Sequence, residues 1–113
     1  MTATALAKYK NQARILKALA HPSRLLIVDE LARGERSVRE LTDLIGVEMP
    51  TVSRHLSVLR NAGILADDKR GLQVFYSLRV PCVLNFFKCV EAVQRGEGKR
   101  DKRNPAPESC CAT

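Results

Sequence analysis

Ser37-Val38-Arg39-Glu40-Leu41-Thr42-Asp43-Leu44-Ile45-Gly46, followed by Val47-Glu48-Met49-Pro50-Thr51-Val52-Ser53-Arg54-His55-Leu56-Ser57-Val58-Leu59-Arg60-Asn61-Ala62-Gly63, spells two short helices joined by a tight turn. Ser37 and Glu40 read as a capping box: the hydroxyl takes one orphan N–H and the carboxylate, three residues on, reaches back to another. The helix they open runs through Ile45 and ends at Gly46. A second starts near Pro50, carries Val52, Leu56 and Leu59 inward at helical spacing, and stops at Asn61-Ala62-Gly63. Two helices so spaced form a helix-turn-helix, in which the first braces and the second can lie in a major groove. The second helix has the side chains for that work. Thr51, Ser53, Arg54, His55 and Ser57 cluster in its N-terminal half, and no acidic residue stands between Pro50 and Arg60 to repel phosphates. The structural alternative is a plain packed domain, with Ser and Thr as caps and His55 as a neutral imidazole packed at the helix surface.

Outward from this unit the pattern extends in both directions. Downstream, residues 64–78 form two β-prone segments around a charged tip with one glycine, a hairpin whose Lys69-Arg70-Gly71 tip can track the backbone or minor groove as a wing. Upstream, residues 5–20 place Leu6, Tyr9, Ala13, Leu16 and Ala20 on one helical face, and His21-Pro22 interrupts before a second helix running to about Ala32. From Val80 to Arg95 a helical pattern returns, apolar around most of its circumference. That is more apolar surface than one face of a small core covers, so a helix of a second subunit is expected against it. The expected fold is mainly α with a small β-hairpin. It is a winged helix-turn-helix in the order α-α-α-α-β-β-α, paired as a homodimer through its first and last helices. Residues 1–96 form the DNA-binding and dimerisation domain, and 97–113 a charged flexible tail that carries Cys110-Cys111.

Composition agrees. The chain has 113 residues, a net charge of +7 and 45% hydrophobic positions, which suits one small domain with an anionic partner. No apolar run approaches the ~20 residues a membrane span needs, and the N-terminus lacks a signal-peptide pattern. A cytoplasmic protein with no membrane partner is expected. In that reducing compartment four cysteines read as buried thiols, metal ligands or redox centres rather than structural disulfides.

The wording of four segments carries a resemblance: Ala18-Leu19-Ala20-His21-Pro22-Ser23-Arg24-Leu25-Leu26-Ile27; Ser37 to Leu41; Thr51 to Leu65; and Val74-Phe75-Tyr76-Ser77-Leu78. Over roughly residues 15–93 the chain resembles the ArsR/SmtB family of metal- and metalloid-responsive repressors. The resemblance implies a homodimer bound to a palindromic operator in double-stranded DNA when unliganded, and released when an ion binds. It places Thr51, Ser53, Arg54 and His55 against bases and phosphates, with Lys69 and Arg70 in the wing. Leu72 stands where family wings often carry a second basic residue. Half-sites one helical turn apart, ~34–36 Å, would fit two subunits.

For the sensing chemistry, the family's CxCxxC positions correspond to Ser37, Arg39 and Thr42, and its zinc-site positions to Val80, Cys82, Val93 and Gly96. Neither donor set is present. What remains is Cys82 and Cys89 on the last helix and Cys110 and Cys111 on the tail. Seven residues turn a helix by about 700°, so Cys82 and Cys89 face the same way but ~10 Å apart along the axis, too far for one ion or a mutual disulfide. One ion therefore requires the first turn, loosened by Pro81, to move, or a third sulfur from the tail or the second subunit, and a coil of 20 residues reaches far enough. Soft ligands without His or carboxylate select thiophilic ions, arsenite or antimonite being the trivalent inducers expected, with no cofactor required. The layout resembles family members whose arsenite site lies on the C-terminal helix. Three alternatives stand beside it. Cys82 and Cys89 can be buried hydrophobes of the dimer interface. The same thiols can form a redox or persulfide switch. Cys110-Cys111 can be a ligand pair, a redox spot or an inert tail end. An enzyme is not expected: Cys89 to Arg95 has the Cys-x5-Arg spacing of phosphatase-like arsenate reductases, but reads as helix and puts Glu91 where the anion would sit.

Overall fold

The computed structural model describes residues 1–96; the tail with Cys110 and Cys111 lies outside the described residues. Their backbone divides into two compact units, residues 1–79 and a second that begins at Val80.

In the first unit the chain runs α1 (Ala3–Leu19), α2 (Pro22–Leu31), β1 (Arg36–Ser37), α3 (Val38–Ile45), α4 (Met49–Asn61), β2 (Leu65–Arg70) and β3 (Gln73–Leu78). Local chemistry sets most boundaries. α1 starts two residues before the expected Ala5 because the Thr2 hydroxyl accepts the Ala5 N–H at 3.1 Å. Pro22 opens α2, and the ring of His21 caps it by accepting the Ser23 N–H at Nδ1, 3.1 Å away. The capping box of α3 is present in both halves. The Glu40 N–H donates to Ser37 Oγ at 3.1 Å and the Ser37 N–H to Glu40 Oε1 at 2.9 Å. The Ser37 N–H holds the Glu40 carboxyl below its usual range. Gly46, at φ +80°, then ends the helix in the left-handed region that only glycine enters freely.

Strand β1 is an addition to the expected elements. Arg36 pairs with Tyr76 and Ser37 with Phe75, which makes an antiparallel sheet of order β1-β3-β2. Two residues carry no period of their own. Only the ladder offered by β3 makes them a strand, and Ser37 serves it while also capping α3. The core of the unit lies where this sheet meets α2, α3 and α4: Ile27, Val28, Leu41, Val52, Leu56 and Leu59 are fully buried.

Leu6, Tyr9 and Leu16, the apolar face expected on α1, stay about half exposed. In the second unit, α5 (Val83–Gln94) leaves Phe86, Val90 and Val93 exposed. It begins at Val83 rather than at the expected Val80. Residue 80 precedes a proline and is pushed away from helical geometry. A tight turn of i to i+3 hydrogen bonds follows, from Val83, Leu84 and Asn85 back to Val80, Pro81 and Cys82.

Candidate nucleic-acid interface

α4 divides cleanly into two faces. Val52, Leu56 and Leu59 are buried, whereas Pro50, Ser53, Arg54 and Asn61 are exposed and Thr51 and Ser57 are partly so. Residues three, four and seven apart share a face, so Pro50, Ser53, Arg54, Ser57 and Asn61 form one outward stripe. Among the described residues Arg54 enters no salt bridge. Arg60, at the far end, is tied instead to Asp67 of β2 at 3.1 Å.

His55 does not belong to this stripe, contrary to the expectation that it faces bases or phosphates. Its residue is only 7% exposed. Its Nδ1 accepts a hydrogen bond from Arg24 Nε at 3.0 Å, and its ring lies 4.4 Å from that of His21. Arg24 also donates from Nη1 to the Ala18 carbonyl at 3.2 Å, so one guanidinium links α1, α2 and α4. Nothing local announces this cluster, since Arg24 and His55 are 31 residues apart.

Burial, then the nearby His21, Arg24 and Arg54, depress the His55 pKa. Burial and the two guanidinium groups both disfavour a second positive charge on the ring, so its neutral form is favoured. A group whose folded pKa lies below its unfolded value loses native stability as pH falls from the unfolded value, about 6.5, through the folded one. The thermal midpoint is therefore expected to drop between pH 7.5 and 5.5. His55→Gln, which keeps an acceptor for Arg24 and cannot be protonated, should flatten that profile in melts across the range. Equal slopes in the two proteins would show that His55 does not carry the effect.

The wing is a tight hairpin. Arg70 pairs with Gln73, leaving Gly71-Leu72 as a two-residue tip with Gly71 at φ +63° in the first position, as such turns favour. Lys69 and Leu72 are exposed. Arg70 is already engaged: Nη1 and Nη2 meet the Glu35 carboxylate at 2.5 and 3.0 Å, Nε meets Asp68 at 3.0 Å, and the guanidinium lies 4.7 Å from the centre of the Phe75 ring. Those carboxylates raise its pKa further. Arg70 braces the wing against the loop before β1, and Lys69 is left as its outward cation.

Cys82 is exposed in the turn that opens α5, and Cys89 is partly buried within the helix. Among the described residues no three His, Cys, Asp or Glu side chains form a group able to hold a metal ion. The Cys89 to Arg95 segment is helical through Gln94, not a loop curled around an oxyanion.

The model of the bacterial regulatory proteins of the arsR family matches residues 21–67, from the cap of α2 into the wing. The biofilm growth-associated repressor of Xylella fastidiosa is 44% identical over 79 residues, which is 69% of each chain. The homodimeric winged helix-turn-helix DNA-binding domain of Mb0332 from Mycobacterium bovis superposes with a TM-score of 0.73 at 30% identity, over 84% of this chain and 88% of that one. Reduced HlyU from Vibrio cholerae gives 0.68 at 27% identity, over 81% and 97%. With its helix-turn-helix and wing in that arrangement, the chain belongs to the arsR family of bacterial regulatory proteins.

Proposed function

We propose that the protein is a homodimeric transcriptional repressor that binds operator DNA through α4 and the wing, and lets go when arsenite or antimonite binds its cysteine thiolates. The observation that carries the DNA reading is the outward stripe of α4: hydroxyls and Arg54, which enters no salt bridge among the described residues, on a helix without acidic residues, standing clear of its buried side. The exposed apolar residues of α1 and α5 support pairing of two copies, as does the homodimeric Mycobacterium bovis relative, and the name of the Xylella fastidiosa relative supports repression. The relatives compared are named as regulators, which supports a regulator rather than an enzyme. No described helix is long and apolar enough to cross a membrane.

The inducer follows from the donors. Cys82 and Cys89 supply two soft ligands per subunit, and a trivalent metalloid takes a third from the second copy or from Cys110 or Cys111. Moving operator occupancy from 99:1 to 1:99 requires a preference for the released state of ~5.5 kcal/mol. Structural zinc sites reach apparent energies of ~10–16 kcal/mol, so a few metal–thiolate bonds suffice. One observation favours a second reading, a thiol-redox or persulfide switch: the described residues hold two thiols and no third donor grouped with them, and two thiols are enough for a disulfide between subunits once an oxidant takes the two electrons, while one thiol is enough to carry a persulfide delivered by a sulfane-sulfur donor.

Fluorescence anisotropy on an operator selected from a random duplex library separates the two. Sodium arsenite or antimonyl tartrate should release the wild-type chain, leave Cys82→Ser and Cys89→Ser bound, and show with a chain ending at Glu108 whether the tail donates. Release by diamide, reversed by dithiothreitol and not reproduced by arsenite, would replace the metalloid reading with the redox one.

A further inference from the structure

We infer that the cleft between α1 and α4 is a phosphate-binding site that grips the operator backbone beside the recognition stripe, an inference that rests on the operator-binding reading above. The cleft encloses about 340 Å³ and is walled by Arg14 and Lys17 of α1, Arg24 of α2 and Asn61 of α4, with Ala18 and Val58 among its apolar lining. Among the described residues no acidic side chain lines it. None of its three cations enters a salt bridge among the described residues. Arg24 is partly buried, and it donates hydrogen bonds to the His55 imidazole and the Ala18 carbonyl. A partly desolvated guanidinium without a carboxylate, joined by two more cations, is a costly arrangement until an anion enters.

The sequence around the cleft points the same way. The first acidic residue of the chain is Asp29, and the stripe Lys10, Arg14 and Lys17 and the cleft's Arg24 all precede it. Lys10, Arg14 and Lys17 lie four and three residues apart and so form one basic stripe along α1, leading into the cleft. Three cations and an amide donor suit an anion with several oxygens, and phosphates of the DNA backbone are bound by such side chains. The position suits a duplex already held by α4. Arg54 and Asn61 are seven residues apart on one stripe, ~10 Å along the helix axis. That is about three nucleotide steps of a strand at ~3.4 Å each. One duplex can therefore meet Arg54 and enter the cleft without leaving the recognition face.

The test uses the full chain, with Arg14→Gln/Lys17→Gln as the variant and Lys8→Gln/Lys88→Gln as a control that removes equal charge elsewhere. All four residues are exposed, so both proteins should melt as wild type does. Operator and random duplexes are titrated from 0.1 to 1 M salt. With one phosphate per cleft and two clefts per dimer, the slope of log K against log salt should be shallower by about 1.8. If the curves converge at 1 M, affinity at 0.1 M falls roughly 60-fold, equally for both duplexes. The control should keep the wild-type slope. An unchanged slope in the Arg14/Lys17 variant overturns the proposal. So does saturable calorimetric binding of inorganic phosphate that the variant abolishes while its duplex slope stays wild type, which would make the cleft a free-anion site. A wild-type chain that binds no duplex overturns the operator reading as well, and its own titration curve identifies that case.

Discussion

Leu56→Ala should destabilise the protein by about 3 kcal/mol, within the ~2–5 kcal/mol typical of emptying a fully buried leucine site. Leu56 is fully buried in the middle of α4, on the side opposite Arg54, where α4 packs on α2, α3 and β2. Truncation removes the methyl groups that seat the helix and leaves a cavity that surrounding elements fill only partly. For a domain of this size a 1 kcal/mol loss lowers the midpoint by about 4–8 °C, so a drop of about 12–24 °C is expected in melts at equal protein concentration. Leu56→Met preserves most of the volume and should cost less than about 1.5 kcal/mol. Leu56 does not reach the outward stripe, so the folded fraction of Leu56→Ala should bind operator with near wild-type affinity at 10 °C. A midpoint within 4 °C of wild type would mean that α4 is not held by this core.

What the sequence discloses and what it hides follow from the range of the interactions involved. Ser37 and Glu40 are three residues apart, so their reciprocal cap can be read directly and the structure contains it. The outward stripe of α4 and the hairpin with Gly71 at its tip follow from periodicity and turn chemistry, which are equally local. His55 stands among polar residues and looks as available as Ser53. Its burial depends on Arg24, 31 residues away, and on the ring of His21. Arg70 reads as a wing cation until the fold brings Glu35 to it across 35 residues. Strand β1 exists because β3 is there to pair with it. The late start of α5 was a different matter. A proline such as Pro81 suits the first turn of a helix, but the restraint it places on Val80 acts before the helix, and Cys82 ends up in the preceding turn.

Arg54→Ala should produce the largest loss of operator affinity of any single exposed substitution. The side chain stands in the N-terminal half of α4, exposed and in no salt bridge among the described residues, where the recognition helix of a helix-turn-helix meets base edges. An arginine that reads a guanine through two hydrogen bonds contributes ~1–3 kcal/mol of discrimination. Two copies in a dimer give about 2–6 kcal/mol, so operator affinity should fall at least about 30-fold at fixed salt. A base contact carries sequence information, so random duplex should be affected far less and the specificity ratio should shrink. This signature is the opposite of the one expected from Arg14 and Lys17, where both duplexes weaken together. The substitution also removes one of the positive charges that depress the His55 pKa, so acid sensitivity in the melt should ease slightly. An Arg54→Ala chain that lost operator and random duplex equally, with a shallower salt slope, would place Arg54 on the phosphate backbone and return base reading to Ser53 and Ser57.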